Sequence, residues 1–124
     1  MTESNSTIAT PFAAAIERFL QNQQGRNRSP QTLRAYRSDL TQLAVWLRTD
    51  NPLLTDPADV TSDDLNAYLA DLGRRGLSGV SRARKLAAIR EFYRFLKLSG
   101  SVVESPVEGL DTPKREKRGR SYLT

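Results

Sequence analysis

Cysteine and histidine are both missing from the 124 residues of this chain, and methionine and tryptophan occur once each. Without cysteine there can be no disulfide and no thiolate-ligated zinc, a composition that suits a reducing cytosol. Without histidine there is no imidazole base, no imidazole metal ligand and no Ser-His-Asp arrangement. Asp, Glu, Lys and Tyr could still move protons, but no spacing pairs them for it. No catalytic residue, metal site or cofactor is therefore assigned, and the chain reads as a poor candidate for an enzyme. Long apolar runs are missing too: none approaches the roughly 18 residues that a membrane span requires. Met1 to Thr10 is polar and has no signal-peptide core.

What is present is ordinary for one soluble globular domain, with 38% hydrophobic and 27% charged residues. The charge, net +5, is unevenly distributed. From Asp50 to Asp71 the chain carries Asp50, Asp56, Asp59, Asp63, Asp64 and Asp71 and no Lys or Arg. From Ser78 to Leu98 it carries Arg82, Arg84, Lys85, Arg90, Arg94 and Lys97 against the single acid Glu91. From Pro113 to Arg120 five more bases face only Glu116. Segregated positive charge is the electrostatic footprint of a nucleic-acid binder.

Periodicity predicts four helices and no strand. The first runs from Pro11 to about Gln23, capped by Thr10, with Phe12, Ile16, Phe19 and Leu20 on its apolar side. The second opens at Ser29-Pro30, and Leu33, Tyr36, Leu40, Leu43 and Leu47 make its buried stripe, with Trp46 at the border. Pro52 and Pro57 mark Asn51 to Asp59 as a loop. The third starts at Thr61, with Asp64 at the capping-box position, buries Leu65, Tyr68, Leu69 and Leu72, and stops between Gly73 and Gly76. The fourth runs from Ser78 to about Leu98, a rod of about 30 Å, with Leu86, Ile89, Tyr93 and Leu96 facing inward. The expected organisation is a disordered tail over residues 1–10, a helical domain over 11–100 and an extended, basic linker over 101–124.

Function must lie on the sides opposite these stripes. On the second helix Arg34, Ser38 and Thr41 fall on one outward line. On the fourth, Ser81 and Arg84 point away from Leu86 and Ile89, with Lys85 on a flank. Arg90, Arg94 and Lys97 make a second basic strip. Cations neutralise phosphates, while hydroxyls and Arg forks can reach base edges in the major groove, which admits an α-helix. The plainer alternative is solvated surface, which suits Arg18, Arg48, Arg74 and Arg94; Glu91 with Arg94 reads as a local ion pair. Tyr36, Tyr68 and Tyr93 lie on apolar stripes and read as core rather than as nucleophiles.

Thr32-Leu33-Arg34-Ala35-Tyr36-Arg37-Ser38-Asp39-Leu40 followed by Trp46-Leu47 resembles the second helix of the core-binding domain of tyrosine recombinases. Gly76-Leu77-Ser78, then Ser81, Arg84, Leu86 and the run from Ala88 to Leu96, resembles that domain's last helix. Ser105-Pro106 and Pro113-Lys114 stand where the family has its interdomain linker, and Tyr122-Leu123-Thr124 resembles the entry to a catalytic domain. The resemblance begins near Phe12, is closest to the Xer and phage integrase branch, and departs from it at Ser105, where the family often has Asn, and at Arg120-Ser121, where it has a proline.

The resemblance implies an all-α, four-helix SAM-like bundle that, with a catalytic domain, forms a C-shaped clamp around duplex DNA in site-specific recombination and integration. Carried over by position, Thr32, Arg34, Ser38, Arg75, Ser81, Arg84 and Lys85 would touch DNA; Thr32 and Arg75 rest mainly on the resemblance. The implied partners are a double-stranded recombination half-site and other recombinase protomers. The family's tyrosine nucleophile, with its Arg, His and Lys helpers, would lie beyond Thr124, and Tyr122 is too early to be it. Two other readings remain: a protein-binding helical module using Phe95 and Leu98, and a helix-turn-helix regulator. The acidic third helix and the lack of a short turn between two helices argue against the regulator.

Overall fold

A hydroxyl side chain caps the start of every long helix in the computed structural model, which describes residues 10–110. Thr10, Ser29, Thr61 and Ser78 each accept the backbone N–H three residues on, all at 3.1 Å. Caps of this kind contribute about 1 kcal/mol each. The helices that follow are α1 (Pro11–Gly25), α2 (Pro30–Asp50), α3 (Ser62–Arg74) and α4 (Gly79–Leu98). Pro11 and Pro30 occupy the first helical position, where no N–H is needed. At α3 the capping box is closed in the other direction as well, because Asp64 accepts from Thr61 N at 2.9 Å.

The helix ends follow one pattern. After α3, Gly76 adopts φ +88° and Leu77 N–H returns to Leu72 C=O at 3.1 Å, so the last carbonyls are satisfied inside the turn. Gly100 closes α4 in the same way. At α1 the left-handed position belongs to Asn27, two residues beyond Gly25, and the helix reaches Gly25 rather than stopping near Gln23.

The two central rods are α2 and α4, each touching all three other helices, with α1 on one side and α3 on the other. Leu40, Leu43 and Leu47 from α2 meet Ile89, Phe92, Tyr93 and Leu96 from α4 in the middle of the core. Aromatic rings tie α1 to this centre: Phe19 sits 5.6 Å from Phe92 and 5.5 Å from Tyr36, and Phe12 stacks on Phe92 at 5.7 Å. Burying each such side chain contributes about 1.5–3 kcal/mol, and this packing brings α2 and α4 together at the centre of the domain. There is no strand among the described residues, and no described helix is long and apolar enough to cross a membrane.

The connections hold more structure than the sequence pattern suggests. Pro57–Asp59 forms one turn of 3-10 helix, and buried Tyr93 donates its hydroxyl to Pro57 C=O at 2.9 Å. Beyond α4 the chain is not extended over residues 101–110. Val102 and Pro106 are buried, Pro106–Gly109 makes a second 3-10 turn capped by Ser105, and this segment packs on α3 and α4. Ser62 donates to Pro106 C=O at 2.6 Å, and Lys97 pairs with Glu108 at 2.8 Å. A short apolar strap can fold here because it docks on surface that α3 and α4 already provide. The polar tail before Thr10, the basic run after Pro113 and Tyr122 lie outside the described residues.

Gly109 makes the docking tight, since a Cβ there would stand 2.4 Å from Ser62 Oγ. Gly109→Ala therefore has to push Ser62 off Pro106. It is expected to cost about 1–2 kcal/mol in urea unfolding, as overpacking does, and Ser62→Ala with Gly109→Ala is expected to cost less than the sum of the two.

Candidate nucleic-acid interface

The seven residues expected to meet DNA divide by environment. Arg34, Ser38, Arg75 and Arg84 are exposed, Thr32 and Ser81 are half-buried, and Lys85 is buried. Thr32 and Ser81 hold equivalent places in α2 and α4. Each is three residues past its cap, and its hydroxyl lies within 2.9 Å of Ser29 Oγ and 3.2 Å of Ser78 Oγ, respectively. Arg34 stands one turn before Ser38 on the outer side of α2 and forms no ion pair among the described residues.

Lys85 requires a correction to its expected place on an exposed flank. Its ammonium points inward, donating to Asp39 Oδ1 at 3.0 Å and to Gln42 Oε1 at 2.8 Å. Arg84 reaches the same Asp39 oxygen at 2.9 Å from the surface. Gln42 in turn donates to Ser38 Oγ at 3.0 Å. A continuous polar chain thus joins Ser38 on α2 to Arg84 on α4. The physical reason is helical phase: Lys85 is four residues before Ile89, which places it at the edge of the buried stripe.

Asp39, Gln42 and Asp71 went unnoticed in the sequence as partners of the candidate residues, although a signal existed for the first. Asp39 lies three residues after Tyr36 and four before Leu43, squarely on the apolar stripe of α2, where a carboxylate requires an internal partner. Asp71 organises the neighbouring edge. It accepts from Trp46 Nε1 at 3.1 Å and pairs with Arg75 Nε at 2.8 Å. Arg75 is thereby held beside an open groove of about 420 Å3, which Gln42, Trp46 and Tyr68 also line.

Phe95, proposed as part of a protein-binding patch, leans on the core with its ring 5.8 Å from Phe19. Leu98 beside it is 79% exposed, and both line a groove of about 300 Å3 between α1 and α4. Of the second basic strip, Lys97 is engaged by Glu108, and Arg94 lies 3.9 Å from Glu91.

The fold is an all-α bundle of four long helices among the described residues. Residues 16–100 match the phage integrase N-terminal SAM-like domain, and the chain belongs to that family. It is 46% identical over 93 residues to the tyrosine recombinase XerC of Pelobacter propionicus, a match covering 75% of this chain and 30% of that protein. It is 38% identical over 104 residues to the XerD of Rhizobium meliloti, covering 83% of this chain and 32% of that protein. The XerC of Chromobacterium violaceum is 38% identical over 103 residues. The chain thus spans about a third of the length of these relatives. No solved structure gives a significant match.

Two buried phenols differ in a way that experiment can read. Tyr93 has its acceptor, whereas Tyr68 Oη is buried without a partner, and burial pushes its pKa up from 10.0 to about 12. Tyr68→Phe is therefore expected to be neutral or slightly stabilising, and Tyr93→Phe to cost about 1 kcal/mol. Since the folded pKa is the raised one, the contribution of the neutral Tyr68 phenol is complete below pH 10 and is lost as pH rises through about 12. Urea titrations across that interval should show a shallower alkaline loss in Tyr68→Phe.

Proposed function

We propose that this chain grips double-stranded DNA as the N-terminal clamp arm of a site-specific tyrosine recombinase of the Xer type, binding one half of a recombination site. The observation that carries the reading is the polar chain from Ser38 through Gln42, Lys85 and Asp39 to Arg84. It ties Ser38 on α2 to Arg84 on α4, so that a hydroxyl and a cation of the two helices are linked by one set of hydrogen bonds. Membership of the phage integrase SAM-like family and the similarity to XerC and XerD support it.

In this reading Arg34, Arg75 and Arg84 neutralise phosphates. Thr32, Ser38 and Ser81 supply short hydroxyl contacts, and α2 and α4 approach the major groove. Lys85 contributes from beneath the surface. Strand cleavage belongs to the catalytic domain of the recombinase, and the present residues bind without cutting. The Phe95 and Leu98 groove lies on another side of α4 and suits a second partner, a neighbouring recombinase protomer or the catalytic domain.

Titration of the chain against duplex DNA at rising salt tests this. Binding should be clear at low salt and fall linearly on a log–log plot, with each phosphate contact contributing about 0.9 to the slope. Arg34→Ala and Arg84→Ala should each weaken binding and flatten the slope by about that amount, and Arg18→Ala should do neither. Absence of binding at low salt, or binding indifferent to salt, contradicts the reading.

A further inference from the structure

Two cations converge on a single buried carboxylate oxygen, and they are not equivalent. Asp39 is 2% exposed and its Oδ1 receives both Lys85 Nζ and Arg84 Nη2. The Lys85 side chain is 7% exposed and holds a second internal bond to Gln42, whereas the Arg84 side chain is 58% exposed. A buried carboxylate is tolerated when one cation neutralises it and strongly destabilising when left bare. Lys85 meets that need from inside the protein. Arg84 is therefore a surplus charge on the cluster, able to leave without stranding Asp39.

We propose that Asp39 is a positioning residue for DNA binding, holding Arg84 at the surface in the unbound chain and yielding it to a backbone phosphate. Lys85 stays on Asp39 throughout and keeps α2 and α4 joined. This inference rests on the DNA-binding reading above and adds to it the residue that aims the cation. Arginine loses side-chain freedom when it binds a phosphate; a guanidinium already ordered on Asp39 has less to lose. The same network prepares Ser38. Because its Oγ accepts from Gln42, its own hydrogen is left to donate outward to an anionic oxygen.

A double-mutant cycle tests the role. Asp39→Asn alone leaves Lys85 as a buried unpaired cation and is expected to lower stability. The comparison background is therefore Asp39→Asn with Lys85→Met, which removes both buried charges and leaves the net charge unchanged. Binding of the full 124-residue chain to a short duplex of arbitrary sequence at low salt is measured with and without Arg84→Ala in both backgrounds, alongside thermal melts. Arg84→Ala should weaken binding about tenfold in the unaltered chain and much less in the comparison background. An equal loss in both overturns the positioning role and leaves the DNA reading standing. Failure of the unaltered chain to bind the duplex overturns both.

A second measurement needs no variant. In side-chain nitrogen spectra of the unaltered chain, adding the same duplex should shift the Arg84 guanidinium and leave the Lys85 ammonium in place. Movement of Lys85, or an unmoved Arg84, overturns the proposal.

Discussion

The Asp39 carboxylate, buried between α2 and α4 and answered by Lys85 from the opposite helix, is the contact on which the interface depends. Apolar packing brings the two rods together, but hydrophobic contact is non-directional and tolerates some rotation of a helix about its axis. A charge pair at 3.0 Å, backed by the Lys85 bond to Gln42 Oε1 at 2.8 Å, does not. It fixes the phase of α2 against α4, and hence which residues of each emerge on the same side. Ser38, Gln42 and Arg84 are neighbours in space because Asp39 and Lys85 are bonded beneath them.

The rest of the domain reinforces this arrangement. Phe12 and Phe19 clamp α1 onto the other side of the central rods, and Tyr93 anchors the loop before α3 through Pro57. The strap after α4 closes over α3 through Ser62 and Pro106. None of these contacts belongs to the proposed interface. They supply the rigid backing that lets a few surface side chains be held in defined places, while Asp71 does locally for Arg75 and Trp46 what Asp39 does for Arg84.

Much of the fold was legible in the sequence because its signals are local. Thr10, Ser29 and Thr61 cap helices where the cap and proline patterns put them, and α4 starts beside the expected Ser78. The apolar residues named for α1 and α4 are buried as their spacing predicts, while Leu33, Tyr36 and Leu69 of the α2 and α3 stripes are half-buried. The errors arose where the deciding partner is remote in sequence. Lys85 carries a charge, which suggests solvent, yet Asp39 lies 46 residues away and the pair is visible only once both stripes are seen to face each other. The segment after Gly100 looked extended because its few apolar residues cannot form a core, and they do not; they use one already built. The helical phase of Arg34, Ser38 and Arg84 was readable, but their joining through Gln42 and Asp39 was not, since long-range hydrogen bonds leave no periodic trace.

Amide chemical-shift mapping of the chain with duplex DNA bears most directly on the claim that α2 and α4 present one binding surface. The account predicts that perturbations cluster at Arg34, Ser38, Ser81 and Arg84 and spare Phe95 and Leu98. Shifts confined to the groove around Phe95 and Leu98, with Arg34, Ser38 and Arg84 unmoved, would contradict it.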